Sequence, residues 1–252
     1  MKALILRFDA PMLSFGGTVV DANGVTDDMP SRSMITGLLA NALGYDHRDV
    51  DLLGRLQERL RVAARRDVPG TRVVDFQTVD LGQAFLSGGW TTSGRAEGRE
   101  GGSAGSGTHI RYRHYIADAI YTVAVTLEPS EESPTLEVLD AALTEPARPL
   151  FIGRKACLPS TPISRGTVDV SSLLDALREA PLNRRSQRKS DGQNLPRKCL
   201  VRIPRGENQA DFEWAERAIT EDRDWPNQIH VGRSIVLEAF VDCGRSSTED
   251  RT

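Results

Sequence analysis

Apolar and polar residues follow two different periods along the first half of the chain. Residues 2–8 form a short apolar run, and residues 60–65 and 119–127 alternate apolar with other side chains, as strands do. Apolar residues three and four positions apart indicate two helices. One ends near residue 43, and the other covers residues 48–59. The pattern therefore predicts two helices between a first strand and a second strand that begins near residue 60.

The first of these helices carries start and stop signals in its own sequence. Ser31 or Ser33 can accept a hydrogen bond from an unpaired N–H group of the first turn, and Gly44 can adopt the left-handed conformation that ends a helix. Gly37 lies inside the helix, where a glycine costs about 1 kcal/mol relative to alanine. We interpret Gly37 as a site of close packing between this helix and a sheet.

A glycine-rich segment separates two strand-like sequences in the middle of the chain. Residues 87–107 contain too many glycines to bury a core of their own, whereas "VVDFQTV" before them and "THIRYRHYI" after them have strand composition. We predict a long β-hairpin, at about residues 76–115, whose tip projects from the body of the protein.

The order of the elements indicates the fold class. A helix over residues 133–145, capped by Ser133, follows the strand at 119–127. The first 150 residues thus read strand, helix, helix, strand, hairpin, strand, helix, which is close to the split βαβ pattern of ferredoxin-like and RNA-recognition folds. We predict an α+β protein with an RNA-recognition-like domain in residues 1–150.

The segment from residue 151 to residue 252 is less regular. It begins with a turn that combines glycine and cations, continues through a basic linker, and ends in strands predicted near 199–203 and 234–242. Residues 181–205 hold eight lysines and arginines against one acid, although the whole chain has a net charge of −3. The linker is either a basic surface on an acidic chain or a solvated loop. We expect a small, irregular, β-rich C-terminal part.

Composition excludes several classes of protein. Hydrophobic residues make up 39% of the chain and no apolar run approaches the ~20 residues of a membrane helix, so we expect neither a membrane span nor a signal peptide. Cys157, Cys199 and Cys243 are widely spaced, and the four histidines lack metal-ligand spacing. We expect a cytoplasmic protein without a bound metal.

Motifs for enzymatic chemistry are also missing from the sequence. There is no Gly-x-Ser-x-Gly, no Gly-Lys-Ser/Thr and no dinucleotide fingerprint, and the carboxylates form no pair suited to acid–base catalysis. We therefore predict no cofactor, and the candidate chemistry lies in clusters of cations and aromatic rings.

The sequence "HIRYRHYI", residues 109–116, is the clearest such cluster. Alternation places Arg111, Arg113 and Tyr115 on one face and Tyr112 and His114 on the other. Arginine beside aromatic rings suits RNA, because rings stack on unpaired bases while guanidinium groups hold phosphates. An ordinary strand with arginine outward and tyrosine inward fits the same pattern, so both interpretations stay open.

Two glycine-containing loops are further candidates. In "MLSFGG" (12–17), Phe15 either stacks on a base or fixes the loop to the core. In "FIGRKA" (151–156), Gly153 would let the backbone approach a ligand while Arg154 and Lys155 neutralise phosphates, although from this motif alone a simple turn with solvated cations is the better interpretation.

The start of the first helix is ambiguous in the same way. The amino end of a helix attracts phosphate, and Arg32 would reinforce an anion site there. Asp27 and Asp28 lie just upstream, however, and could pair with Arg32 and give it a structural role.

Four motifs in this order resemble one known family. They are "LILRFDAPMLSFG", "MPSRSMITGLLANALG", "RYRHYIADAIYTVAV" and "RPLFIGRKACLP". The chain resembles, best over residues 2–165, the CasD proteins, Cas family five of type I-E CRISPR systems in the RAMP superfamily. The resemblance implies a ferredoxin-like palm domain with the long hairpin as a thumb.

The resemblance also implies a function. One copy of the protein would bind and cap the 5′ handle of crRNA in the Cascade surveillance complex, a ribonucleoprotein of antiviral defence. Its expected partners are crRNA, the backbone and large subunits and, indirectly, target DNA, without homo-oligomer formation. The RNA-binding residues carried over from the family's motifs are Ser14, Phe15, Gly16, Arg32, Ser33, Arg111, Arg113, His114, Phe151, Gly153, Arg154 and Lys155. Relatives often carry tryptophan at position 15 and tyrosine at 151.

A second reading is catalytic. Family-five relatives in another CRISPR subtype process repeat RNA as metal-independent endoribonucleases. In that case His114 would act as general acid or base, Tyr112 or Tyr115 would assist, and Lys155 would stabilise the phosphorane.

Overall fold

The computed structural model describes residues 1–17, 22–80, 88–90, 96–98, 108–183, 198–207 and 212–242. The strands are β1 Lys2–Asp9, β2 Met12–Leu13, β3 Asn23–Gly24, β4 Leu60–Val68, β5 Thr71–Asp80, β6 Gly88–Trp90, β7 Ala96–Gly98, β8 Thr108–Ala117, β9 Ile120–Leu127, β10 Ser164–Asp169, β11 Lys198–Pro204, β12 Ala215–Ile219, β13 Asp222–Asp224, β14 Ile229–Val231 and β15 Ser234–Asp242. The helices are α1 Arg32–Leu43, α2 Val50–Arg59, α3 Leu136–Thr144 and α4 Leu173–Glu179. This is an α+β protein, as predicted.

The main sheet is antiparallel and contains seven strands in the order β10-β1-β9-β4-β11-β15-β12. Successive side chains of β1 point to opposite faces. Leu4, Leu6 and Phe8 join the core beneath α1, α2 and α3, while Ala3 and Ile5 join a second core beneath α4. The central strands therefore carry helices on both faces.

The second half of the chain contributes more to this sheet than the sequence predicted. Strand β10 lies beside β1, and β11, β15 and β12 continue the sheet beyond β4. The expectation of a small irregular C-terminal part is wrong in this respect, because pairing of β11 with β4 joins residues far apart in sequence. The division of the chain near residue 150 stays a prediction, while strands from both sides of it share one sheet.

The predicted hairpin is formed by β5 and β8. The two strands pair antiparallel from Thr71 opposite Ala117 to Asp80 opposite Thr108, and β2 and β3 add short pairings to β8. The strands β6 and β7 pair with each other. Most of the predicted glycine-rich tip lies outside the described residues.

Local signals determine both ends of α1. Ser31 caps α1 by accepting a hydrogen bond from the Met34 N–H group at 3.3 Å, and Gly44 ends the helix with a φ of 84°. The cap of α3 is Thr135 instead of the predicted Ser133. Our interpretation of Gly37 is also wrong, because a Cβ atom at this position would meet nothing within 4 Å.

A buried ion pair attaches α4 to the sheet. The side chains of Arg65 and Asp67 are both fully buried, and Arg65 Nε donates to Asp67 Oδ1 at 2.6 Å. Arg65 also donates to the carbonyl oxygens of Leu177, Ala180 and Pro181. The guanidinium group thus satisfies carbonyls at the end of α4, which would otherwise lack partners.

Cys157 and Cys199 are free and buried, and Cys243 lies outside the described residues. In the part of the chain that the structure describes, no helix is long and apolar enough to cross a membrane. Within the same residues, no three histidine, cysteine, aspartate or glutamate side chains are grouped so that they could hold a metal ion.

Candidate functional site

A cavity of about 260 Å³ lies where the loop after β2, helix α1, residues 151–154 and the β13–β14 hairpin meet. We call it the palm pocket. Seven of the twelve residues predicted to bind RNA line it: Ser14, Phe15, Gly16, Ser33, Phe151, Gly153 and Arg154. The tertiary structure thus brings together three motifs that span more than a hundred positions in the sequence.

The turn at Gly153 forms one side of the palm pocket. Gly153 has a φ of +93°, and a Cβ atom there would lie 1.5 Å from the carbonyl oxygen of Ser14. The Ser14 N–H group donates to the Ile152 carbonyl at 3.3 Å. The glycine is therefore required for close approach of two backbone segments, a different reason from the predicted approach of a ligand.

Arg154 binds the chain itself. Its guanidinium group donates to the carbonyl oxygens of His114 at 2.8 Å and Gly24 at 2.7 Å, and it lies 5.0 Å from the centre of the Tyr115 ring. Arg154 thereby links the 151–154 turn to β8 and β3. The neighbouring Lys155 is exposed and does not line the palm pocket.

Phe15 fixes the first loop to the core. Its side chain is 1% exposed and packs edge-on against Tyr121, with ring centres 4.8 Å apart. The Tyr121 hydroxyl donates to the carbonyl of Asp28 at 2.8 Å, so Tyr121 contacts both the loop after β2 and the loop before α1. In this conformation Phe15 offers no open face for a base, whereas Phe151 is only partly buried.

Arg32 is held by an acidic partner far along the chain. Its Nε and Nη2 atoms each donate to an Asp222 oxygen at 2.7 Å. The Ser33 N–H group donates to the Glu221 carbonyl at 3.0 Å. The β13 segment thus satisfies groups at the start of α1 that the sequence suggested for phosphate, and RNA contact by Arg32 stays a prediction.

Neither Asp27 nor Asp28 pairs with Arg32, an alternative that the sequence left open. Asp27 lies 3.4 Å from Arg202, and Asp28 forms an ion pair with Arg72 at the base of the hairpin. These two carboxylates therefore connect the loop before α1 to β11 and β5.

The cationic residues of β8 lie on the hairpin, outside the palm pocket. Arg111 and Arg113 are opposite Gln77 and Asp75 in the register, so they share a face, as the alternation predicted. The opposite face carries exposed apolar side chains on both strands, so the alternative with tyrosine turned inward does not hold at Tyr112. They are Val74, Phe76, Ile110 and Tyr112, which are 39–55% exposed. His114, opposite Val74 in the register, lies on this face too.

Sequence reasoning missed the fourth wall of the palm pocket, formed by Arg223, Trp225 and His230. Trp225 is 9% exposed, and the Arg223 guanidinium lies 5.6 Å from the centre of its ring. Burial lowers the pKa of Arg223, and burial together with the Arg223 charge lowers the pKa of His230. The one sequence signal was a tryptophan within a strongly acidic segment, where charge alone suggests a solvated surface.

Known proteins provide an independent comparison. The family described as CRISPR-associated protein (Cas_Cas5) matches residues 3–236. The Escherichia coli K12 protein named CRISPR system Cascade subunit CasD is 30% identical over 174 residues, which are 69% of this chain and 75% of that protein.

Two solved structures share the fold. A chain of a CRISPR RNA-guided surveillance complex superposes with a TM-score of 0.64 at 22% identity, covering 96% of this chain and 90% of the other. A structure described as a Cas protein gives 0.61 at 24% identity and covers 95% of both chains. The ordered motifs, the architecture and the match to residues 3–236 agree, and the chain belongs to the Cas5 family of CRISPR-associated proteins.

Proposed function

We propose that this protein is a non-catalytic, cytoplasmic subunit of a type I-E Cascade complex that binds the 5′ handle of crRNA. The observation that carries the proposal is the palm pocket, because it collects seven of the predicted RNA-binding residues beside a cationic strand. The 30% identity to a Cascade subunit over most of both chains supports the assignment to this type of complex.

The topology supports a ferredoxin-like palm with a thumb. The elements β1, α1, β4, β9, α3 and β10 follow in the order βαββαβ, and their strands lie in the order β10-β1-β9-β4. This is the split βαβ arrangement. We assign the β5–β8 hairpin as the thumb.

The exposed cations are the best candidates for phosphate contacts. Arg111 and Arg113 share one face of the thumb, and Lys155 is exposed in the turn beside Arg154. A single strand of RNA that runs from the thumb to this turn would have its phosphates neutralised along the way. Arg154 would act by positioning these elements, since its donors are engaged by backbone carbonyls.

The other face of the thumb suits a protein partner. Four exposed apolar side chains of β5 and β8 are adjacent there, and the rings of Phe76 and Tyr112 are 5.6 Å apart. Apolar patches on soluble proteins commonly mark interaction sites. We assign this face to the neighbouring backbone and large subunits, and target DNA would be contacted only through the assembled complex.

The test compares the triple variant Arg111→Ala, Arg113→Ala, Lys155→Ala with a matched variant that removes three exposed cations elsewhere, at Arg48, Arg165 and Lys198. Fluorescence anisotropy measures the affinity of each chain for a crRNA 5′ fragment across a range of salt concentrations. Because each phosphate contact to a single strand contributes about 0.7 to the slope of log K against log salt, we expect the slope to fall by about 2 in the first variant only. Equal slopes in the two variants would overturn the proposal.

The same preparations test the catalytic alternative. His114, Tyr112 and Lys155 do not line the palm pocket. We expect repeat RNA to stay intact when incubated with the purified chain. Specific cleavage that a 2′-deoxy substitution at the cut site abolishes would establish an endoribonuclease instead.

A further inference from the structure

Two guanidinium groups lie side by side where β3 meets β8. The two strands are parallel, and Gly24 of β3 is next to Arg113 of β8 in the register. A Cβ atom at Gly24 would lie 2.9 Å from Arg113 Nη1 and 2.8 Å from Arg154 Nη2. Because both nitrogens approach the same point, the two side chains are close neighbours over the bare backbone of this glycine. We call Arg113 and Arg154 the arginine pair.

The two members of the arginine pair are held differently. Arg154 donates to the carbonyls of His114 and Gly24, so its charge is fixed in place. Arg113 is half-buried, and its Cδ atom would lie 3.1 Å from the same Cβ position. Within the described residues, Arg113 donates no side-chain hydrogen bond and forms no ion pair. The Arg113 guanidinium group therefore keeps its donors available beside a second, fixed positive charge.

Acidic groups near the arginine pair are engaged elsewhere. Asp75 is opposite Arg113 in the β5–β8 register, but its carboxylate accepts a hydrogen bond from Gln77 Nε2 at 2.7 Å. Asp27 and Asp28, which follow β3, pair with arginines of β11 and β5. Over the part of the chain that the structure describes, no carboxylate is within ion-pair distance of either guanidinium group. Two like charges at a half-buried site repel each other, so a bound anion would stabilise this arrangement.

A phosphate group is the ligand that fits the arginine pair. The planar guanidinium fork matches the oxygens of a phosphate, and its hydrogen bonds to an anion are strong. A base fits less well, because the ring beside the pair, Tyr115, is 4% exposed and has the Arg154 guanidinium 5.0 Å from its centre. Arg111, two positions away along β8, and the exposed Lys155, next to Arg154, extend the positive charge. A single RNA strand that follows these cations would present a phosphate to the pair.

We infer that the arginine pair holds one phosphate of the bound RNA, and that Gly24 is the positioning residue that lets the two guanidinium groups lie side by side. This inference rests on the proposed RNA-binding function and deepens it. Arg113 donates the hydrogen bonds to the phosphate. Arg154 adds its charge while its own donors stay on the backbone carbonyls of β8 and β3. Any side chain at position 24 would occupy the space in which the pair assembles.

The experiment is a phosphate scan of the RNA combined with two variants of the site. Each phosphate of a crRNA 5′ fragment is replaced in turn by an uncharged methylphosphonate, and binding to the full-length chain is measured by anisotropy. At one position we expect loss of the charge to weaken binding to the wild type by about tenfold, the size expected for one charged hydrogen bond. The variants Arg113→Gln and Gly24→Ala should bind intact RNA more weakly, and should lose most of the methylphosphonate effect at that same position.

Two control variants separate this site from general effects of charge and folding. Arg111→Gln removes a cation from the same face of β8, and should weaken binding to intact RNA but keep the full methylphosphonate effect at the position in question. Gly54→Ala adds a methyl group on α2, where a Cβ atom would meet nothing within 4 Å, and should leave the scan unaltered. The atoms displaced by Gly24→Ala are ends of flexible side chains, so this variant should stay folded by circular dichroism. Arg113→Gln breaks no side-chain bond within the described residues and tests the phosphate contact independently of Gly24.

The outcomes separate this inference from the proposed function. If the wild type binds the RNA but the methylphosphonate effects are the same in the wild type and in Arg113→Gln, the phosphate site is wrong and the RNA-binding proposal stands. If Arg113→Gln loses the effect and Gly24→Ala keeps it in full, the positioning role of Gly24 is wrong. If the wild type fails to bind the RNA at any salt concentration, the proposed function is wrong and the inference falls with it.

Discussion

Replacement of Gly153 by alanine tests whether close backbone contact shapes the palm pocket. The added Cβ atom would lie 1.5 Å from the Ser14 carbonyl oxygen and 2.7 Å from its carbonyl carbon. Both are backbone atoms, so no side-chain rotation relieves the clash. The two segments must separate, which removes the hydrogen bond from the Ser14 N–H group to Ile152.

The magnitude follows from two contributions. A non-glycine residue at positive φ costs about 1–2 kcal/mol. Separation of the segments adds the lost hydrogen bond and disturbed packing around Phe15, for a total of about 3–5 kcal/mol in the free energy of unfolding. Gly166 provides a matched control, because its φ is +84° and a Cβ atom there would meet nothing within 4 Å. Gly166→Ala should therefore cost only the conformational contribution.

Urea-induced unfolding of the free chain, followed by circular dichroism, measures both variants. We expect Gly153→Ala to be less stable than Gly166→Ala by about 2 kcal/mol or more. It should also bind the crRNA 5′ fragment more weakly, since the displaced Ser14 lines the palm pocket. Equal destabilisation by the two substitutions would refute the reasoning, because it would show that the approach to Ser14 contributes nothing.

Three further predictions concern individual side chains. Arg154→Lys should lower the free energy of unfolding by about 2 kcal/mol, because lysine cannot bridge the carbonyls of His114 and Gly24. The control Lys155→Ala should leave the free energy of unfolding nearly unchanged. Thermal unfolding distinguishes the two variants, and equal effects would contradict a structural role for Arg154. Asp67→Asn should lower the free energy of unfolding by about 3 kcal/mol or more, because the buried Arg65 loses its counter-charge. Glu137→Gln, which breaks an exposed ion pair, should have little effect. Urea-induced unfolding measures both variants. Folding lowers the pKa of His230. Below about pH 6.5 the unfolded chain therefore binds more protons than the folded chain, and the free energy of unfolding decreases as the pH falls. Between pH 7.5 and pH 5.5 the wild type should therefore lose more stability than His230→Gln, and parallel pH profiles would count against this.

Local sequence was enough to specify several elements and the cationic pattern of the thumb. Ser31 and Gly44 specify the ends of α1 because a cap depends on residues within one turn. The β5–β8 register follows from strands joined by a single connection, and it preserves the alternation of Arg111 and Arg113. The order of the family's motifs is likewise a property of the sequence, although the same motifs leave the roles of Arg32, Phe15 and Arg154 undecided.

Those roles are assigned by the folded chain, because each depends on a partner remote in sequence. Arg32 meets Asp222 across 190 positions, and Arg154 reaches β3 across 130. The missed wall of the palm pocket has the same origin: Trp225 lies in an acidic segment whose composition suggests solvent exposure, and it becomes part of the site because Gln57 and α1 hold that segment against the palm. Periodicity and capping signals predict only the local structure of the turn or strand that contains a residue. Whether a charge or a ring serves phosphate, base or core depends on the distant group that pairs with it in the folded protein.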